Sequence, residues 1–135
     1  MFKIIRNIGK ITRSLQIKSN KQFQTVGLGN NSFIYLIRVC EKPGMFLGEV
    51  ADKLSIDRTT AFRTIKRLVD TNYLRLEVDS TDGRLRRVFP TDKAKKIYPE
   101  LHSFEKDSSE KLLSNLTLEE QQTLFQLLEK CSNNI

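Results

Sequence analysis

The chain has 135 residues, 39% hydrophobic and 29% charged, enough apolar material for one packed core and a mixture that excludes fibrous and disordered classes. Its net charge of +7 favours a polyanionic partner, and two widely separated cysteines with a single histidine exclude a disulfide framework and a recognisable zinc motif. The charge is uneven: residues 1–40 carry seven Lys or Arg and no acid, residues 57–99 eleven against six, and residues 100–135 three against seven.

In the N-terminal segment, Ile4, Ile8, Ile11 and Leu15 fall on one helical face, with Lys3, Arg6, Lys10 and Arg13 around the rest. Such a helix could lie on an anionic membrane. The preferred reading is an Ile ridge buried against the C-terminal helices of a second chain, because extra long helices leave apolar surface that one copy cannot cover. Gly27-Leu28-Gly29-Asn30-Asn31 breaks the chain, and Ser32 or a neighbour starts a helix in which Phe33, Ile34, Leu36, Ile37 and Cys40 are mostly buried. Lys42-Pro43-Gly44 ends it. Burial and the neighbouring Glu41 should both raise the Cys40 thiol pKa and keep it inert, and Cys131, near the negative end of the last helix, is read the same way.

Next, Leu47, Val50, Ala51 and Leu54 are spaced i, i+3, i+4, i+7 and predict a helix of about two turns. Ser55-Ile56-Asp57 breaks the stripe, and the Asp57 carboxylate can cap a new helix from Arg58 to about Thr71. Placed at 100° intervals, Ala61, Phe62, Ile65, Leu68 and Val69 gather on the expected core side. Opposite them lie Thr59, Thr60, Arg63, Thr64, Lys66 and Arg67, an arc of hydroxyls and cations with no carboxylate. That chemistry suits a DNA major groove, where Arg forks onto guanine and Thr meets base edges or phosphates, so Thr59, Thr60 and Arg63 are the candidate base readers.

Asn72 can end this helix in a left-handed conformation, after which Leu74, Leu76 and Val78 alternate with Arg75, Glu77 and Asp79 as in a half-buried strand. A turn at Asp79-Ser80-Thr81-Asp82-Gly83 leads into a returning strand that opens with Arg84, Arg86 and Arg87, all read as free of acidic partners. An Arg at a hairpin tip can enter a minor groove, where the negative potential concentrates. Thr91 is a plausible N-cap for a long helix with Ala94, Ile97, Tyr98, Leu101 and Phe104 on its stripe and Pro99 as a kink, and Thr117-Leu118-Glu119-Glu120 matches a capping box. The last helix then turns Leu124, Leu127, Leu128 and Cys131 inward.

Catalysis is not expected, since His102 has no nucleophile motif nearby, no Gly-rich phosphate loop occurs, and Glu119 and Glu120 are adjacent first-turn acids. No apolar run is long enough to span a bilayer and the first thirty residues lack a signal-peptide core, so a cytoplasmic protein without membrane contact is expected.

The segment Val78-Asp79-Ser80-Thr81-Asp82-Gly83-Arg84-Leu85-Arg86-Arg87-Val88-Phe89-Pro90-Thr91-Asp92-Lys93-Ala94 resembles the wing and following helix start of the MarR family of bacterial transcription regulators. Leu47 to Leu54 is similar to that family's first helix-turn-helix element and Asp57 to Leu74 to its recognition helix, with Thr81 where many members carry Arg and Asn72 where many carry Gly. The resemblance implies a mostly α fold with a small β-hairpin wing, a winged helix-turn-helix with N- and C-terminal dimerisation helices. Residues 1–42 would be the N-terminal helices, 45–91 the DNA-binding lobe and 92–135 the C-terminal dimerisation helices of a single domain. The expected function is sequence-specific binding of a double-stranded DNA operator by a homodimeric repressor. DNA contacts would come from Arg58, Thr59, Thr60, Arg63, Thr64, Lys66, Arg67, Arg84, Arg86 and Arg87, and dimer contacts from Ile4, Ile8, Ile11, Leu124 and Leu128. No cofactor or metal is expected; the resemblance implies a small aromatic ligand, or an oxidised cysteine, as the releasing signal. The rival reading is a winged-helix module that binds protein without sequence-specific DNA binding.

Overall fold

The computed structural model describes every residue, 1–135. Helix α1 (Phe2–Phe23) buries only Ser19 and Phe23, and Phe23 stacks on Phe33 with ring centroids 5.5 Å apart. A 3-10 turn, Gln24–Val26, is closed by Gly27 at φ 79°, and Leu28 lies in the expected break between helices and is fully buried. Helix α2 (Phe33–Glu41) contributes Tyr35, Leu36, Ile37 and Val39 to the core.

A two-residue strand β1 (Met45–Phe46), too short to show a period in the sequence, precedes α3 (Leu47–Leu54). Glu49 accepts a hydrogen bond from the Phe46 N–H at 3.2 Å and so satisfies a donor left over at the start of α3. Ser55 turns the chain at φ 53°, and Ile56 N–H reaches back to the Ala51 carbonyl. Helix α4 (Arg58–Asp70) starts at the predicted cap, with Asp57 Oδ2 accepting from Thr60 N–H at 2.9 Å. Asn72 has φ 67°, the left-handed turn that ends it.

Strands β2 (Leu74–Val78) and β3 (Arg86–Pro90) form the hairpin, and β1 adds antiparallel to β3, giving the order β1-β3-β2. The register sets Leu74 opposite Pro90 and Val78 opposite Arg86. Helix α5 (Asp92–Leu112) runs unbroken through Pro99, and its start is capped by Thr91, whose hydroxyl accepts from Ala94 N–H. In α6 (Leu118–Ser132), Thr117 and Glu120 form the expected reciprocal cap. Two compact units result, residues 1–102 and 103–135, divided inside α5. The α3-turn-α4-hairpin order within the first unit is a winged helix-turn-helix. No helix is long and apolar enough to cross a membrane.

Three expected core faces need correction, and on α6 none of Leu124, Leu127, Leu128 and Cys131 turns inward within the single chain, all four being exposed. On α4 the buried stripe is Ala61, Thr64, Ile65 and Leu68; Phe62 is exposed and Val69 only half-buried. Thr64 can go inside because its hydroxyl shares a hydrogen bond with the buried Tyr35 of α2, so no polar group is left unpaired. On β2, the edge strand of the sheet, only Leu74 is buried; Val78 is exposed, and so is Leu76 although it lies opposite the buried Val88 of β3.

Candidate nucleic-acid interface

The exposed side of α4 carries Thr59, Thr60, Arg63, Lys66 and Arg67. Thr64, expected with them, is buried and belongs to the core. Asp57 closes the N-terminus of α4, and its carboxyl is held below the usual carboxylate range by the Thr60 N–H and hydroxyl, with Arg63 adding electrostatic attraction. Arg58 lies outside this arc: its guanidinium pairs with Asp52 of α3 at 3.3 Å and spans Gly48, where a Cβ would sit 3.1 Å from Cζ. The absence of a side chain at Gly48 lets α4's first cation lie across α3.

The far end of α4 is held from two directions. Lys93 Nζ donates to the Thr71 carbonyl at 2.8 Å and sits 4.1 Å from the centre of the Tyr73 ring. Thr91 donates to the Asn72 carbonyl at 2.7 Å, while the Tyr73 hydroxyl donates to the Val26 carbonyl. The first turn of α5 and the turn after α1 thereby fix where α4 stops. A lysine at a helix C-terminus also suits the dipole.

The hairpin tip is organised by Asp79, which is 7% exposed. Its Oδ2 accepts from the Thr81 hydroxyl at 2.7 Å, from Asp82 N–H at 3.0 Å and from Thr81 N–H at 3.2 Å, and its Oδ1 accepts from Arg87 Nε at 2.8 Å. Arg87 also donates from Nη1 to the Gly44 carbonyl at 2.7 Å and lies 4.2 Å from the centre of the Phe46 ring. Arg84 pairs with Asp82 through Nε and Nη2, both at 3.2 Å. The expectation that Arg84 and Arg87 lack acidic partners is therefore wrong. Asp79 meets Arg87 of β3 across the turn, whereas Arg84 meets Asp82 two residues earlier within the turn itself. The two arginines differ in reach, however. Arg87 ties the hairpin to β1, whereas the Arg84 side chain is 91% exposed at the tip. Arg86 folds back on the Gly83 carbonyl at 2.9 Å and stays exposed.

The MarR family sequence model matches residues 26–85, the span from the turn after α1 to the wing tip. The uncharacterized HTH-type transcriptional regulator YybA of Bacillus subtilis (strain 168) is 37% identical over 132 residues, covering 98% of this chain and 88% of that protein. This chain belongs to the MarR family of transcriptional regulators. The HTH-type transcriptional regulator BilQ of Clostridium symbiosum (strain WAL-14163) is 30% identical over 117 residues, 87% of this chain and 80% of that one. Among solved structures, a putative MarR family transcriptional regulator from Listeria monocytogenes, complexed with a 26mer DNA, is 34% identical with a TM-score of 0.93, covering 97% of this chain and 87% of its own.

In this MarR-family chain the wing brace is the element that sequence reasoning missed, although Asp79 and Arg87 stand at the two ends of the turn where a cross-strand pair can form. Thr81 donates to Asp79 from both its hydroxyl and its N–H and so helps close the turn. The Asp79 carboxyl is pulled from 3.8 to about 2, chiefly by the Thr81 hydroxyl and then by Arg87. A depressed folded-state pKa favours the native state fully above the unfolded value and loses that effect as pH falls through the folded one. The wing should therefore lose stability between pH 3.8 and about 2. Asp79→Asn is expected to lower the midpoint of thermal unfolding at neutral pH and to flatten its fall across that window. An unchanged acid limb in the variant would mean that the carboxylate does not brace the wing.

Cys40 is half-buried, and its thiol is pushed up first by burial and then by Glu41, against the pull of Lys95. It carries little thiolate at neutral pH, as expected of a packing residue. Cys131 is exposed.

Proposed function

We propose that this MarR-family regulator binds operator DNA as a homodimer, with α4 in the major groove and the β2–β3 tip in the minor groove, and represses by occupying a promoter. The observation that carries this reading is the pairing of two surfaces. From Arg58 to Arg67, α4 carries no carboxylate, and its exposed Thr59, Thr60, Arg63, Lys66 and Arg67 lie on the same lobe as a hairpin that ends in Arg84. Thr59, Thr60 and Arg63, nearest the N-terminus of α4, are assigned to base edges. Arg58, Lys66, Arg67 and Arg86 are assigned to phosphates. The DNA complex of the Listeria relative supports the same partner.

The homodimer is supported by apolar side chains that the single chain leaves in water: Ile4, Ile8 and Ile11 on α1, and Leu124, Leu127 and Leu128 on α6. A second copy of the chain offers the same residues in return, as an isologous interface requires. The family resemblance adds a small aromatic effector as the releasing signal, and a DNA target fits a cytoplasmic protein.

Arg84 and Arg87 separate this proposal from a hairpin with a purely structural role. On an operator, Arg84→Ala should lower the slope of log affinity against log salt by about 0.9 for one lost phosphate contact, and the loss should be largest with A·T-rich flanks. Arg87→Ala should instead lower thermal stability, because it leaves Asp79 buried without its guanidinium. Salt titrations of both variants on A·T-rich and G·C-rich flanks provide the measurement. Equal losses with no flank dependence would remove the wing from the interface.

A further inference from the structure

We infer that Phe62 is a specificity-determining residue that reads the 5-methyl group of a thymine in the major groove. This inference rests on the DNA-binding reading above. The buried stripe of α4 is complete with Ala61, Thr64, Ile65 and Leu68, at i, i+3, i+4 and i+7, and it leaves no inward position for residue 62. Phe62 is 38% exposed, while the other apolar side chains from Ala61 to Leu68 are at most 1% exposed.

Its neighbours say what can cover it. Thr59 and Lys66 lie three and four positions away, on the same side of the helix, and Arg63 follows directly; all three are exposed. An apolar protein groove closing on the ring would have to desolvate Arg63 and Lys66, at a large cost without anionic partners. The major groove of DNA offers the opposite arrangement. Phosphates flank it, hydrogen-bonding base edges line it, and the thymine methyl is its apolar feature, one that Phe is suited to contact. The ring lies in the first half of α4, the part of a recognition helix that sits deepest in the groove.

The test separates this claim from the one beneath it. Duplexes are enriched from a random pool with the wild-type protein, and each thymine of the winning site is then replaced singly by deoxyuridine, which deletes the methyl and nothing else. Wild type is expected to lose roughly fourfold in affinity at one position per half-site, the value of one buried methyl-sized group. Phe62→Ala should bind the thymine duplex more weakly and show no further loss at that deoxyuridine. Phe62→Leu, which keeps an apolar side chain on a folded helix, should restore part of the methyl dependence.

Indifference of the wild type to every deoxyuridine would overturn the inference without touching DNA binding. So would a Phe62→Ala protein that keeps the full deoxyuridine loss, because the methyl would then be read by another group, such as Thr59 or Thr60. If the pool yields no enriched sequence, sequence-specific binding itself fails and the assignment of Phe62 falls with it.

Discussion

Replacing Ile8 and Ile11 together by Asp is expected to convert the proposed dimer to a folded monomer that has lost operator binding. Both side chains are exposed on α1 in the single chain, at 42% and 38%, so carboxylates there do not enter the core of one copy and its helical content should survive. In the proposed interface the same positions are dry. Burying an aliphatic side chain of this size is worth about 1.5–3 kcal/mol. A symmetric dimer loses that at four sites and must also desolvate four carboxylates. The penalty far exceeds what a dimer of ordinary affinity can absorb. Because two linked recognition helices bind two half-sites, the monomer should also retain only the weak, salt-sensitive affinity of one lobe. Sedimentation, circular dichroism and operator titration on one sample provide the check. An intact dimer with full operator affinity would move the interface off α1.

Arg63→Ala should weaken binding to the enriched operator by about 1–3 kcal/mol and relax the choice of base at one position in each half-site. Arg63 stands on the exposed side of α4 less than two turns beyond the Asp57 cap, in the part of the helix that the proposed docking brings closest to the floor of the groove. A guanidinium there can fork onto guanine O6 and N7, and Ala leaves those acceptors without the contact. The loss should be confined to the specific site. Titration against the operator, single-base variants of it and random duplex distinguishes the two roles of an arginine. If affinity falls equally on all of them, Arg63 contacts phosphate, and base reading belongs to Thr59, Thr60 and Phe62.

The parts of this fold legible in the sequence are those set by local periodicity and capping. Leu47, Val50, Ala51 and Leu54 define α3, and the carboxylate of Asp57 and the hydroxyls of Thr91 and Thr117 mark where α4, α5 and α6 begin. What depended on a partner distant in sequence was not legible. Sequence periodicity rotates the core side of α4 toward Phe62 and Val69 because a threonine normally faces water, and the nearby Tyr35 is what makes burial of Thr64 tolerable. The same rotation concealed Phe62 as a surface residue. Arg87 reads as a DNA contact in the sequence because its use as a brace requires three things at once, the hairpin register, the buried Asp79 and the approach of Gly44 and Phe46. Leu76 and Val78 follow the alternation of a half-buried strand, but alternation does not say which of its positions are covered.

The most direct test of the central claim is competition between an operator enriched from the source genome and random duplex of the same length, measured by fluorescence anisotropy at near-physiological salt with the full chain. Sequence-specific recognition by a dimer predicts a ratio of at least about 10³ in favour of the operator, with a footprint of two protected patches one helical turn apart. Equal affinity for both duplexes, or no binding to either even at low salt, would contradict it.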